Sequence, residues 1–184
     1  MTGDRTLVLG IGNLLWADEG FGVRCVEALQ AGFELPPPVR VLDGGTQGLY
    51  LLPHVQEADR LLVFDAIDWG LPPGTLQVIE GDEVPRFMGA KKMSLHQTGF
   101  QEVLAAAALT GRAPAELCLV GVQPEELEDY GGSLRPSVKA RIPEAVGLAV
   151  ATLARWGVAP TPRAGGPAPR LDDPLGLARY EGRV

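Results

Sequence analysis

Short apolar runs alternate with longer amphipathic stretches along most of this chain. The apolar runs have the length and continuity of buried parallel strands, and they cover residues 6–9, 39–42, 61–64 and 117–122. Between and after them, apolar residues recur at helical spacing, most clearly over 100–108 and 142–156. Residues 75–79 alternate and follow no helix, which favours an antiparallel edge strand. The alternation of strands and helices predicts an α/β fold with a mostly parallel sheet covered on both faces.

Proline, glycine and a capping pattern delimit the predicted helices. Ser94-Leu95-His96-Gln97 matches the capping box that begins a helix, and Gly111 is placed to end that helix. A final helix is predicted over 136–156, but Pro143 removes a backbone hydrogen bond, so the helix kinks there or begins later. Residues 80–93 contain both proline and glycine and are predicted to form a loop.

The handedness of the crossovers predicts the order of the strands. If helices cover both faces, the first strand lies between the second and the third. The switch point then falls between the carboxyl ends of the first and third strands, which carry Asp18-Glu19 and Asp65. Ligands of open α/β sheets bind at such a point.

Composition narrows the functional classes. The chain has 184 residues, 46% of them hydrophobic, which suits one domain with a substantial core. A formal net charge of -7 argues against nucleic-acid binding and against an anionic membrane surface. No run of 18 apolar residues and no signal-peptide pattern occurs, so we expect a cytoplasmic protein without membrane insertion. Cys25 and Cys118 lie in apolar patterns and are expected to be buried free thiols.

A dinucleotide site is the first candidate for the glycine-rich turn after the first strand. Gly10 and Gly12 begin the fingerprint, and Asp43 stands where a ribose-binding acid would stand. However, Leu15 occupies the third glycine position, and the turn is long and bulky. The chain also lacks a P-loop, an HExxH motif and a G-x-S-x-G elbow.

A metal site is the remaining candidate. Glu19, Asp65 and His96 follow strands or begin a helix at loops that a doubly wound sheet brings together. Two carboxylates and one imidazole leave coordination positions open, as hydrolytic metal catalysis requires. Each residue also has a structural interpretation. Asp18 is expected to be a helix N-cap, Glu19 to complement the helix dipole, Asp65 to cap the loop after its strand, and His96 to be a partly exposed helix-start residue.

Five motifs in the chain resemble, in order, those of the nickel-iron hydrogenase maturation endopeptidases. They lie at residues 9–24, 43–46, 64–66, 94–97 and 121–124, within a resemblance that covers about 5–157. Residues 83–99 and 123–134 are most similar to the branch that serves membrane-bound uptake hydrogenases. The resemblance implies a three-layer α/β fold with a twisted five-stranded sheet between helices.

The same resemblance implies an activity and a site. It implies one cut near the C-terminus of the nickel-loaded large-subunit precursor of a hydrogenase, which releases a short peptide. Glu19, Asp65 and His96 take the positions of the family's metal ligands, and the metal is nickel that the substrate supplies. The type of hydrolysis, aspartic or metal-assisted, stays open. A non-catalytic nickel-sensing chaperone of the precursor is the alternative function.

Two further segments carry expectations. The loop of Asp43, Gly44, Gly45 and Thr46 is expected either to present backbone groups to the precursor tail or to form a tight turn. Residues 158–184 are rich in proline and glycine and lack an apolar stripe. We therefore expect a protease domain over 1–157, a flexible or surface-draped tail over 158–184, and a monomer.

Overall fold

One five-stranded sheet organises the molecule. The computed structural model describes residues 5–88, 95–164 and 181–182, and for residues 95–98 it describes the backbone only. The sheet contains β1 (Thr6–Ile11), β3 (Val39–Gly45), β4 (Arg60–Ala66), β5 (Leu76–Glu80) and β6 (Glu116–Val122). Its order is β3-β1-β4-β6-β5, and only β5 runs antiparallel to its neighbour. The predicted position of the first strand, between the second and third predicted strands (β3 and β4), is confirmed, and so is the antiparallel edge strand.

Helices cover both faces of the sheet. One face is packed by α1 (Phe21–Gly32), α5 (Pro136–Lys139) and α6 (Ile142–Arg155), and the other by α2 (Leu52–Glu57), α3 (Glu83–Met88) and α4 (Leu95–Leu109). Two 3-10 helices, Ala17–Gly20 and Gly48–Leu51, precede α1 and α2. The three-layer α/β fold with a mostly parallel sheet is therefore confirmed.

Alternation along the central strands divides the core in two. In β4, Leu62, Phe64 and Ala66 face α1 and α6, whereas Leu61 and Val63 face α2, α3 and α4. All five side chains are at most 2% exposed. Strands buried on both faces explain why their sequences read as continuous apolar runs.

Most of the helix starts and ends that were predicted from sequence agree with the structure. Gly111 adopts a φ of 68° after α4, and its neighbour Arg112 donates an N–H to the carbonyl of Ala107, which closes the helix as predicted. Pro143 occupies the first turn of α6, so the helix begins late rather than kinking. The prediction of a loop over 80–93 was wrong in part, because Glu83–Met88 forms α3, whose Val84 and Met88 are buried. The capping residue Ser94 lies outside the described residues.

The described part of the C-terminal segment is packed against the domain. Val158 is 6% exposed and belongs to the core beneath α6. Strand β7 (Thr161–Pro162) pairs antiparallel with β2 (Phe33–Glu34), just after α1. Glu181 binds the ammonium group of Lys139 at 2.7 Å and the hydroxyl of Ser133 at 2.9 Å. Among the described residues, no helix is long and apolar enough to span a membrane.

Candidate functional site

The loop after β1 folds back onto the end of its own strand. Gly12 adopts a φ of 134°, and a Cβ there would lie 1.7 Å from the carbonyl oxygen of Glu19. The 3-10 helix Ala17–Gly20, which carries Glu19, also contacts β4. Glycine is therefore needed at position 12 because the loop lies directly on the strand. The glycine-rich turn brings Glu19 to the carboxyl edge of the sheet.

Glu19 is a half-buried carboxyl at this edge. It lies in a 3-10 helix that ends before α1 begins, and not in the first turn of α1 as predicted. Burial raises the pKa of the Glu19 carboxyl to about 7. Removal from water disfavours the charged form of a carboxyl, so this group changes its protonation state near neutral pH. Such a carboxyl can bind a cation or transfer a proton.

Asp18 does not cap a helix, contrary to the prediction. Neither Ala17–Gly20 nor α1 has a side-chain cap, and the residue before α1 is Gly20. The Asp18 carboxylate is fully buried and accepts backbone N–H bonds from a distant segment, at Glu125, Glu126 and Arg135. An acid just before a helix is typical of an N-cap, and the sequence analysis therefore assigned that role to Asp18. The hydrogen-bond partners of its carboxylate in fact lie more than 100 residues away.

Strained backbone accompanies this loop. Ala17 adopts a φ of 42°, in the left-handed region that side chains other than glycine rarely occupy. That conformation costs on the order of 1 kcal/mol and persists only where surrounding contacts hold it. Here the Ala17 N–H donates to the carbonyl of Gly132 at 3.2 Å.

Asp65 is the second-last residue of the central strand β4 and is fully buried. Alternation places its side chain on the same face as Leu61 and Val63, the face covered by α2, α3 and α4. One of its carboxylate oxygens accepts the backbone N–H of Ala66 at 2.8 Å. In the sheet, Asp65 is paired with Gly121 of β6, and the ring of Trp69 lies against that glycine.

The glycine-rich segment 43–46, which ends β3, borders the same edge. Gly12 donates its N–H to the carbonyl of Gly45 at 3.0 Å, so the loops after β1 and β3 are joined. Within the loop, Asp43 accepts the Gly45 N–H at 2.9 Å, and Gly45 adopts a φ of 46°. Asp43, Gly44 and Gly45 are the last residues of β3, so the strand extends beyond the predicted 39–42. The turn follows from Gly44 to Gln47, whose N–H donates to the Gly44 carbonyl at 3.1 Å. A role of this turn toward a substrate stays a prediction.

His96 is the second residue of α4, as predicted, and its backbone alone is described. About one turn later, Gly99 packs near Gly48: a Cβ added at Gly99 would lie 3.5 Å from the Cα of Gly48. The 3-10 helix Gly48–Leu51 follows the loop over 43–46 directly. The first turns of α4 thus pack beside the glycine loop, on the sheet face that also carries Asp65.

The structure brings the segments of all three predicted ligands to one region. The 3-10 helix that carries Glu19 contacts β4, the strand that carries Asp65, and α4 contacts the 3-10 helix Gly48–Leu51. Among the side chains that the structure describes, no three histidines, cysteines or carboxylates form a metal-binding group. The imidazole of His96 is outside that set, so a three-ligand site over Glu19, Asp65 and His96 stays a prediction.

Gln123 lies in the motif over 121–124, but the sequence analysis assigned it no role. Its side chain is 5% exposed and bridges the loops after β4 and β6. The amide oxygen accepts the N–H groups of Trp69 and Leu71 at 2.8 and 3.1 Å, and the amide nitrogen donates to Asp68 at 2.9 Å. Gln123 therefore holds the segment that follows Asp65. A glutamine before a proline after a buried strand was the available signal.

The cysteines stand apart from this region, as expected. Both are free and buried, Cys25 in α1 and Cys118 in β6. Burial raises the pKa of the Cys118 thiol to about 11 and raises that of Cys25 as well. Since the thiolate is the form that binds metals and attacks substrates, these thiols are structural.

The chain matches known proteins over this whole region. Residues 23–152 match the family model for HycI, hydrogenase maturation protease. The hydrogenase expression/formation protein HupM of Azotobacter chroococcum mcd 1 is 63% identical over 183 residues, with 98% of this chain and 88% of that protein covered. The hydrogenase 2 maturation protease of Escherichia coli (strain K12) is 45% identical over 160 residues, with 86% and 96% covered.

Solved structures agree. The hydrogenase maturating endopeptidase HybD from E. coli superimposes with a TM-score of 0.82 at 44% identity, over 86% of this chain and 98% of that one. The fold and these comparisons define an α/β protein of the hydrogenase maturation endopeptidase class. The chain belongs to the nickel-iron hydrogenase maturation protease family, in the uptake hydrogenase branch with the HupM, HoxM and HupD proteins.

Proposed function

We propose that this endopeptidase removes a short C-terminal peptide from the nickel-loaded large-subunit precursor of a nickel-iron hydrogenase. The observation that carries the proposal is the contact, in a maturation protease, between the 3-10 helix that carries Glu19 and β4, the strand that carries Asp65. Both carboxyls are withdrawn from water, Asp65 completely. Buried acids of this kind are retained where a cation or a proton has to be handled.

Nickel enters this proposal as part of the substrate. Glu19, Asp65 and His96 would complete the coordination of the ion that the precursor carries and thereby hold the adjoining peptide in place. Carboxylate and imidazole ligands suit a divalent transition metal, and three protein ligands leave positions for the precursor. Recognition of the ion would restrict cleavage to loaded precursor.

Peptide hydrolysis at this site has two forms consistent with these residues. In the metal-assisted form, the three ligands fix a metal-polarised carbonyl or a metal-bound water. In the aspartic-type form, the two carboxyls act as acid and base, and the raised pKa of Glu19 allows it to carry the proton. We propose the metal-assisted form, since His96 has a role only there.

The loop of Asp43, Gly44, Gly45 and Thr46 is proposed to bind the precursor tail. Glycines at this loop permit a peptide to approach the backbone closely, and the loop adjoins both Gly12 and the start of α4. We further propose that residues 1–157 form the protease domain, that 158–184 extend from it, and that the protein acts as a cytoplasmic monomer.

The proposal is tested with purified precursor. Incubation with the protein should lower the intact mass of nickel-loaded precursor by one short C-terminal peptide, and His96→Ala should process it at least about tenfold more slowly. Binding without any mass loss would instead support a nickel-sensing chaperone. Processing by His96→Ala at the normal rate would show that the assigned metal site is wrong.

A further inference from the structure

We propose that Asp18 is a positioning residue that fixes Glu19 at the cleft by tying the loop after β1 to residues 125–135. This segment, the 125–135 loop, follows β6 and leads into α5. The inference rests on the proposed role of Glu19 in handling the nickel of the precursor. It assigns to Asp18 a part in processing that acts through its neighbour.

Three backbone donors converge on the Asp18 carboxylate. One oxygen accepts the N–H groups of Glu125 and Glu126 at 2.8 and 2.9 Å. The other oxygen accepts the N–H of Arg135 at 2.7 Å. The carboxylate thus binds both ends of the 125–135 loop. Charge-assisted bonds of this length are among the strongest that a protein forms.

Further contacts join the two loops on either side of Asp18. The Asp18 N–H donates to the carbonyl of Glu126 at 3.1 Å, and the Gly131 N–H donates to the carbonyl of Leu15 at 2.7 Å. The rings of Trp16 and Tyr130 meet edge to face, with their centroids 5.2 Å apart. The two loops therefore form one unit, with Asp18 buried at its centre.

Glu19 takes its position from this unit. Its own N–H donates to the carbonyl of Trp16 at 2.9 Å, and its carbonyl lies against Gly12. Asp18 is the preceding residue, so loss of the three bonds to its carboxylate would release the backbone at Asp18 and, with it, that of Glu19. The positive φ of Ala17 shows that contacts hold this segment in a conformation it would not adopt alone. The accurate placement of a side chain that binds a metal directly commonly depends on such supporting hydrogen bonds.

Two variants weaken the Asp18 bonds from opposite sides. Asp18→Asn leaves one acceptor oxygen and turns an NH₂ group toward backbone donors. Arg135→Pro removes the third donor and places a ring carbon against the Asp18 oxygen. Arg135 has a φ of -65°, which is the value of proline, so the backbone itself accepts the change. Arg135→Ala is the matched control, since it loses the same guanidinium contact with Asp129 but keeps the N–H.

The measurement is kcat and KM for processing of nickel-loaded precursor, well below the unfolding temperature of each variant. We expect Asp18→Asn to lower kcat/KM at least about tenfold, and Arg135→Pro to be at least about tenfold slower than Arg135→Ala. In a Glu19→Gln background, Asp18→Asn should change kcat/KM by less than about twofold, because both substitutions then act on the same ligand.

Opposite outcomes overturn the inference. An independent structural role predicts that Asp18→Asn lowers kcat/KM by the same factor with Glu19 and with Gln at position 19. If Asp18→Asn does not fold, equal rates for Arg135→Pro and Arg135→Ala reject the positioning role. Asp59→Asn is a distant control, because Asp59 accepts the Arg5 N–H at 2.8 Å beside the start of β1. It should process at the wild-type rate.

Failure of the proposed function would look different. In that case the wild-type protein leaves nickel-loaded precursor uncut, or Glu19→Gln processes it as fast as the wild type does. A slow Glu19→Gln combined with a normal Asp18→Asn rejects the inference alone.

Discussion

At the residue scale, Glu19 and Asp18 are adjacent acids with opposite surroundings. Glu19 is withdrawn from water and its pKa rises to about 7. Asp18 is fully buried, yet its two oxygens accept three backbone N–H bonds. Desolvation raises the free energy of a charged carboxylate, and hydrogen-bond donors lower it. The structure thus places a carboxyl with a raised pKa next to a carboxyl whose oxygens hold the backbone of a distant loop.

Replacing Glu19 by glutamine should flatten the pH dependence of stability. The folded pKa, about 7, lies above the unfolded value near 4.5, so the native state binds more protons between these two values. Its contribution to stability is therefore full below the unfolded pKa and is lost as the pH rises through about 7. Glutamine does not titrate. Urea unfolding at about pH 5 and about pH 8 should show a smaller loss of unfolding free energy for Glu19→Gln than for the wild type.

Glu144→Gln is the control for that comparison, because Glu144 lies exposed on α6 and pairs with Arg141. Glu144→Gln should lose as much unfolding free energy between these two pH values as the wild type does. An equal loss of unfolding free energy in Glu19→Gln and wild type would contradict the raised pKa of Glu19.

At the scale of elements, α1 lies directly on the ends of two strands. A Cβ at Gly22 would stand 2.3 Å from the carbonyl oxygens of Ile11 and Phe64. A Cβ at Gly10 on β1 would in turn stand 2.3 Å from the carbonyl oxygen of Gly22. Glycines at both positions allow the helix to approach the sheet at the switch point, and this approach places the loop that carries Glu19.

Gly22→Ala should therefore destabilise the protein by about 2 kcal/mol or more, because backbone atoms have to move to admit a methyl group. Gly147→Ala provides the matched control in α6. An added Cβ meets nothing within 4 Å there, so this change should stabilise the protein by about 0.5–1 kcal/mol through helix propensity. Chemical unfolding measures both. Equal effects of the two substitutions would refute the close packing of α1.

The elements were the part of the structure most accessible from sequence. Continuous apolar runs and crossover handedness predicted the order of the central strands, and a late start at Pro143 was one of the two expected outcomes. Helix α3 was not predicted, because residues 83–88 contain a proline, and proline fits the first turn of a helix as well as it fits a loop. The role of Asp18 escaped because its partners are distant in sequence, and no local pattern encodes a contact with the 125–135 loop.

At the scale of the whole molecule, the chain closes on itself beyond α6. Val158 completes the core, and Arg163 donates its backbone N–H to the carbonyl of Gly32 at 2.9 Å beside the β2–β7 pair. Glu181 binds Ser133 in the 125–135 loop and Lys139 at the end of α5, and the Lys139 contact lowers the pKa of the Glu181 carboxyl. These contacts connect the C-terminal segment to the half of the molecule that holds Asp18.

Two truncations separate these contributions. A chain that ends at Gly157 loses the burial of Val158, worth about 1.5 kcal/mol, and also loses the β2–β7 pair. A chain that ends at Ala164 retains both and loses the partly exposed Glu181 contacts, which contribute at most about 1 kcal/mol. Thermal unfolding should place the shorter chain below the longer one. Equal midpoints would show that residues 158–164 do not stabilise the domain.

We expect Asp65 and its neighbours to bind the nickel of a hydrogenase precursor, and we expect this binding to permit cleavage of the precursor. Intact-mass time courses on nickel-loaded and nickel-free precursor, with the wild type and with Asp65→Asn, test it most directly. An asparagine oxygen can still accept the Ala66 N–H, so the strand end is preserved. We expect a C-terminal peptide to be lost only from nickel-loaded precursor, and we expect Asp65→Asn to release it at least about tenfold more slowly than the wild type does. Cleavage of nickel-free precursor at the same rate, or an undiminished rate for Asp65→Asn, would contradict it.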